Sequence, residues 1–277
     1  MQPLPLLFRR VVSWIFFILF AVILLIVSIY ASGYRLGEEF TLERTGGIHV
    51  SVPVSGTILY LEGEEVGTSS FLDKSFFLDN LAFGTYSISV EKEGYRTWEK
   101  TLIVERAYVT DTTAFLIPET IIPLPIVIGT DTSATTSLQV SRAEFLTLES
   151  LFNTATTTAT TTEATRTPDP TELVVRDGNV YVRWNRNLER APSAFCIAPQ
   201  ACVVEISVEL DETVVSRAEF FEGGVVYQTP RGIYLSEIDV KQPNIFVPLY
   251  EKPNAEFRIH QGELIILDDE ELFVIAL

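Results

Sequence analysis

Residues 11–31, VVSWIFFILFAVILLIVSIYA, contain no charge, no proline and no glycine. At about 1.5 Å rise per residue a helix of that length measures about 30 Å, the thickness of a bilayer's hydrocarbon core. The run is apolar on every side, unlike the one-sided stripe of a helix that packs on a soluble core. Arg9 and Arg10 stand immediately before it, and the first acidic residue is Glu38. Positive charge kept inside predicts a cytoplasmic N-terminus and exported C-terminal domains. Trp14 and Tyr30 lie near the two ends, where amphipathic rings favour the interface. The rival reading is a cleaved signal peptide, whose apolar region runs about 7–15 residues before a small-x-small site. This run is longer, and Ile29-Tyr30-Ala31-Ser32-Gly33 matches that site poorly. The expectation is a retained single-pass span of the cell membrane, with residues 1–10 as a cytoplasmic tail and 32–45 as a stalk.

The chain has 277 residues, room for two modest domains beyond the span. Its formal net charge is −17, from 37 acidic and 20 basic residues. Such a surface repels nucleic-acid phosphates and anionic headgroups, so nucleic acid is not an expected partner. It suits a soluble extracytoplasmic surface.

Residues 46–118 are dense in β-branched and aromatic side chains. Alternation at 48–52, 57–61 and 86–90 predicts half-buried strands. The segment from Glu62 to Gly67 predicts a hairpin turn with two glycines available for positive φ. The expectation is a small antiparallel β-sandwich. The texture changes in 119–171, where the Thr/Ala tract 154–162 is low in complexity and Pro168 and Pro170 follow. A weak helical period at 141–152, with Ser141 as cap and Glu144 three residues on, predicts one short helix in an otherwise Thr-rich linker. From 172 to 277 strands return at 173–175, 180–184, 203–208, 225–228, 233–238, 257–259, 264–267 and 272–275. Turn signals at Asp177-Gly178, Pro230-Arg231-Gly232, Gln261-Gly262 and Asp268-Asp269 separate many of them. The fold class expected is an all-β ectodomain, a small sandwich plus a second hairpin-rich β domain, behind one transmembrane helix.

The order Gly47-Ile48-His49-Val50, Pro53, Ile58-Leu59-Tyr60-Leu61-Glu62-Gly63, Gly67-Thr68, Gly84-Thr85-Tyr86, Glu93-Gly94-Tyr95 and Trp98 resembles a PEGA domain over residues 46–104. Val54-Ser55-Gly56 stands where the name-giving tetrapeptide would be, and Ser69 replaces the usual proline. The resemblance implies a small β-sandwich module of the kind found on bacterial surface and envelope proteins. More loosely, Val225-Val226-Tyr227 and Gly232 to Asp239 resemble a blade of a β-propeller. About 106 residues are too few for a closed ring of four or more blades.

Candidate chemistry is sparse. Cys196 and Cys202 flank five residues, and in an exported domain such a pair predicts a structural disulfide; buried free thiols are the alternative. His49 and His260 are far apart and lack the acidic spacing of a zinc site or a catalytic base. No nucleophile elbow, phosphate loop or His-Glu-x-x-His occurs. The acidic clusters Glu62, Glu64, Glu65 and Asp268 to Glu271 lack the alternating offsets of a calcium loop and predict solvated hairpin tips. Tyr60, Tyr86, Tyr95, Trp98 and Trp184 serve either as core or as a sugar-stacking platform. No catalytic, cofactor or metal residue is expected, and the protein is expected not to be an enzyme. The predicted role is a membrane-anchored envelope protein that binds cell-wall polymer or another envelope protein. The alternative is an extracytoplasmic sensor or accessory subunit of a membrane complex, against which the short N-terminal tail argues.

Overall fold

The computed structural model describes residues 6–31, 33–36, 42–129, 137–153, 171–184, 191–208, 210 and 214–277. The Thr-rich tract expected as a linker lies, from 154 to 170, outside the described residues. The apolar run forms α1 (Leu6–Ala31), and Arg10–Ala31 has a mean hydropathy of 3.0 with none of it buried against the rest of the chain. Gly33 ends the helix in a left-handed conformation (φ 76°), its N–H donating to Tyr30 O at 3.1 Å. The expected stalk is in part a hairpin, β1 (Tyr34–Leu36) paired antiparallel with β2 (Leu42–Arg44).

The first β unit contains β3 (Gly46–Ser51), β4 (Ile58–Leu61), β5 (Glu64–Thr68), β6 (Ser75–Leu81), β7 (Gly84–Glu91), β8 (Trp98–Val104) and β9 (Val109–Thr113). They make two sheets, ordered β6-β3-β9 and β5-β4-β7-β8. One pair departs from the antiparallel expectation: β3 and β9 run parallel, Ile48 opposite Thr110 and Val50 opposite Thr112. The alternation read from sequence becomes burial. Ile48, Val50, Leu59, Ile88 and Val90 are enclosed, whereas Leu61, Tyr86 and Tyr95 pack half-buried at the rim. The buried aromatic of the Gly94 corner is Trp98.

Residues 119–171 are not simply a linker. Here β10 (Leu124–Ile128), β11 (Leu138–Val140) and α2 (Arg142–Asn153) join the C-terminal unit. Ser141 caps α2 as its sequence predicts, its Oγ accepting from Glu144 N at 3.2 Å. Leu148 on the buried side of α2 packs with Ile126 and Val140, and with Ile265, Leu272 and Val274. Burial of these aliphatic side chains holds the segment in place.

The remaining strands are β12 (Thr171–Arg176), β13 (Asn179–Trp184), β14 (Cys196–Ala198), β15 (Ala201–Cys202), β16 (Glu205–Ser207), β17 (Arg217–Phe221), β18 (Gly224–Thr229), β19 (Gly232–Glu237), β20 (Phe246–Tyr250), β21 (Glu256–His260), β22 (Glu263–Asp268) and β23 (Glu271–Ile275). Besides the short β14–β15 pair they build three sheets: β12-β13-β16, the meander β17-β18-β19-β20, and β11-β10-β23-β22-β21. The meander is buried on both faces. Val225, Tyr227 and Tyr234 enter a core with Val180, Val182 and Phe195, while Val226, Ile233 and Leu235 enter another with Phe257, Leu264 and Ile266. Two-sided burial explains why these strands read as unbroken apolar runs.

The two β units are not separate bodies. One core runs from Ile48 and Trp98 through Ala114, Phe115, Leu116 and Ile117 to Phe221, Val226 and Leu235. Phe115 seats against Gly224, where a Cβ would lie 2.9 Å from its ring. The boundary expected between a domain at 46–118 and one at 172–277 is therefore a packed joint.

Candidate functional site: the joint between the two β units

The joint is built from β8 on one side and, on the other, the end of β19 with the loop that follows it. Along β8, Trp98, Lys100, Leu102 and Val104 point inward and Glu99 and Thr101 outward. A lysine thus stands on an apolar face, fully buried. Its Nζ donates to Lys241 O at 2.9 Å, Pro243 O at 2.7 Å and Asn244 Oδ1 at 2.7 Å, and lies 3.1 Å from Glu237 Oε2. Trp98 Nε1 donates to Glu237 Oε1 at 2.8 Å, and Ile245 N donates to Glu237 Oε2 at 2.9 Å. Beyond this pair, Asp239 Oδ1 accepts from Lys241 N at 2.8 Å and lies 3.0 Å from Lys241 Nζ. That Nζ donates to Ser193 O at 2.7 Å and Cys196 O at 3.2 Å. Two cations and two carboxylates are buried together with no net charge, as burial of ions demands.

Burial pushes the Glu237 and Asp239 carboxyls above their usual range, opposed in each by its lysine partner. Burial pulls Lys100 down, opposed first by Glu237 and then by Asp239. Four oxygens surround the Lys100 amine, more than even an ammonium's three donors serve singly, whereas a neutral amine has only two. The geometry therefore calls for the charged form. Beside the quartet is a cleft of about 420 Å³, walled by Phe115, Phe195, Phe220 and Phe221, with Glu237 and Asp239 among its lining. Its carboxylates are engaged by Trp98, Lys100, Ile245 and Lys241. What this arrangement does is tie β8 to the end of β19 and the loop that follows it.

The other residues singled out in the sequence lie elsewhere. Cys196 and Cys202 are joined in a disulfide between β14 and β15, where they are cross-strand partners. The bridge holds the loop whose Ser193 and Cys196 carbonyls receive Lys241. His49 on β3 faces Asp111 on β9, Nδ1 to Oδ1 at 2.7 Å, half exposed. His260 ends β21 opposite Glu263. Glu62 sits in the two-residue turn between β4 and β5, and its Oε1 accepts from Ser87 N at 2.6 Å. Asp268 departs from the expected solvated tip: it is buried and accepts from Tyr250 Oη at 2.6 Å and Lys252 Nζ at 2.8 Å. Among the described residues, no three His, Cys, Asp or Glu side chains are grouped to hold a metal ion. Trp184 Nε1 donates to Val203 O at 2.8 Å, and Trp98 belongs to the joint, so the tryptophans form no common platform. Sequence reasoning passed over Lys100, Glu237, Asp239 and Lys241. The available signal was a lysine in phase with Trp98, Leu102 and Val104.

The architecture defines a class: a β-rich body behind an apolar helix long enough to cross a membrane. Residues 45–118 match the PEGA domain, and that match includes both sheets of the first β unit. No curated protein matches the chain.

Proposed function

We propose that this is a non-enzymatic, membrane-anchored protein of the cell envelope, whose PEGA domain and C-terminal β unit act outside the cytoplasm as one binding body. The observation that carries this reading is a PEGA domain placed directly behind an unburied apolar helix. The Cys196–Cys202 disulfide supports an oxidising compartment. Its partner is cell-surface polymer or another envelope protein. The contact surface we favour is the loop between β5 and β6, where Phe71 and Leu72 are 82% and 94% exposed. Paired apolar side chains so fully in solvent suit a contact surface better than packing. The test is co-sedimentation of the full chain in nanodiscs with purified wall polymer, and capture of solubilised envelope proteins on it. Binding is expected to fall at least tenfold in Phe71→Ser/Leu72→Ser with unfolding unchanged. Absence of retention on either bait would contradict the reading.

A second reading, an accessory subunit or sensor of a membrane complex, is favoured by the helix exit. Thr45 donates to Gly33 O through both N and Oγ1 at 3.0 Å, and Ala107 N donates to Thr45 O at 2.9 Å. Displacement of the PEGA domain would thus be felt at the end of α1. In-membrane cross-linking from α1 to a second membrane protein distinguishes this reading from a free-standing binder.

A further inference from the structure

The base of the PEGA domain and the end of α1 share one cleft of about 410 Å³. Tyr30 and Ala31, the last two residues of the helix, form one wall. Phe77 on β6, with Ala107, Tyr108 and Val109 at the start of β9, forms the other. Phe77 is 62% and Tyr108 45% exposed, so the aromatic content of this wall is not absorbed by the core. Phe83, exposed at the turn between β6 and β7, adds a third ring at the same end, because Leu81 at the end of β6 pairs with Gly46 beside the helix exit.

Three arginines stand against aromatic rings at this end. The Arg35 guanidinium lies 3.7 Å from the Tyr30 ring centroid and that of Arg44 5.3 Å from Tyr34. Arg106 lies 5.7 Å from the Phe83 centroid and 3.4 Å from Glu43 Oε2. Among the described residues, the acidic side chains near these arginines include Glu43, paired with Arg106, Asp79 in the cleft wall, and Glu105 next to Arg106. Arginine against an aromatic ring at the end of an apolar helix is the chemistry of the bilayer interface, where the ring meets glycerol and acyl carbons and the guanidinium meets phosphate.

Depth follows from continuity. If α1 crosses the bilayer, Tyr30 and Ala31 mark its outer boundary, and side chains that share a cleft with them stand at headgroup level. We infer that the base of the PEGA domain is seated in the headgroup layer, and that the cleft between α1 and Phe77/Tyr108 takes a phospholipid of the leaflet into which α1 emerges. This inference rests on the anchoring reading given above. The opposite end of the domain stays in water: Ser75, at the far end of β6, is six residues from Leu81, about 20 Å along the strand, and the Phe71–Leu72 loop lies beyond it.

The test uses the full chain in phosphatidylcholine nanodiscs, its native cysteines bridged, with bimane attached at one introduced cysteine at a time. Tyr108→Cys and Phe77→Cys report on the cleft, Leu19→Cys on mid-helix and Phe71→Cys on the distal loop. Headgroup-nitroxide lipid is expected to quench the two cleft labels at least threefold more than the distal label, and deep acyl-nitroxide lipid to quench the mid-helix label. If the mid-helix label is quenched and the cleft labels respond like the distal one, the anchor stands and the seated base is overturned. If the mid-helix label is not quenched, the anchoring reading fails and this inference falls with it.

Discussion

Lys100 and Glu237, 137 residues apart in sequence, pair across the joint between the PEGA domain and the C-terminal unit, beside the apolar core that the two share. Removing only the cation, as in Lys100→Ala, strands Glu237 where burial already resists its charge. Breaking one side of a buried pair costs about 3–5 kcal/mol, whereas replacing both sides by apolar groups of similar size is often neutral or better. Denaturant unfolding is therefore expected to show a large loss for Lys100→Ala and a much smaller one for Lys100→Met/Glu237→Leu. Equal losses in the two variants would remove the pair from the account. Asp268 provides a pH test. Lys252, and then the Tyr250 hydroxyl, hold its carboxyl below the usual range despite burial. A carboxyl depressed in the folded state gives stability that is present above its unfolded value, about 3.9, and is lost as pH falls through the folded value. Urea midpoints between pH 5 and 2.5 should fall more steeply in the wild type than in Asp268→Asn. Parallel profiles would show that Asp268 gives no such linkage.

At the scale of elements, much was legible because local chemistry decides hairpins. Glu62-Gly63, Asp177-Gly178 and Gln261-Gly262 each hold two consecutive positive-φ residues between paired strands, the pattern of a two-residue type I′ turn; Glu222-Gly223, not among the turns expected from the sequence, holds the same pattern. The β22–β23 turn has the same pattern without glycine, with Asp269 at φ 46° and Glu270 at 73°. A non-glycine residue in that region costs about 1–2 kcal/mol. Glu270→Gly should therefore raise stability by about 1 kcal/mol, measured by thermal unfolding, and a lowered Tm would contradict the turn assignment. The Ser141 cap of α2 was legible for the same local reason. The placement of β10 and β11 was not. Their three- and five-residue strands gain meaning only from Val274 and Phe273, about 150 residues further on. Nor was the parallel pairing of β3 with β9, which no turn announces.

At the scale of the whole molecule, the apolar run and the PEGA pattern were readable because each is dense in adjacent residues. The joint was not, since it is a meeting of two distant alternations: Trp98, Lys100 and Leu102 on one strand, Glu237 at the end of another with Asp239 and Lys241 in the loop after it. The resulting picture is one β body whose PEGA base adjoins α1 and whose exposed Phe71–Leu72 loop adjoins the other end of β6 from the Leu81–Gly46 pair. The central claim is that this body is carried outside the cytoplasm on a retained helix. The most direct measurement adds protease to intact cells bearing a C-terminal epitope and follows that epitope in membranes washed with alkaline carbonate. Without protease the full-length chain should remain in the washed membrane, and with protease the epitope should be lost while cytoplasmic markers survive. An epitope protected in intact cells, or a soluble mature form beginning near Ser32, would contradict the claim.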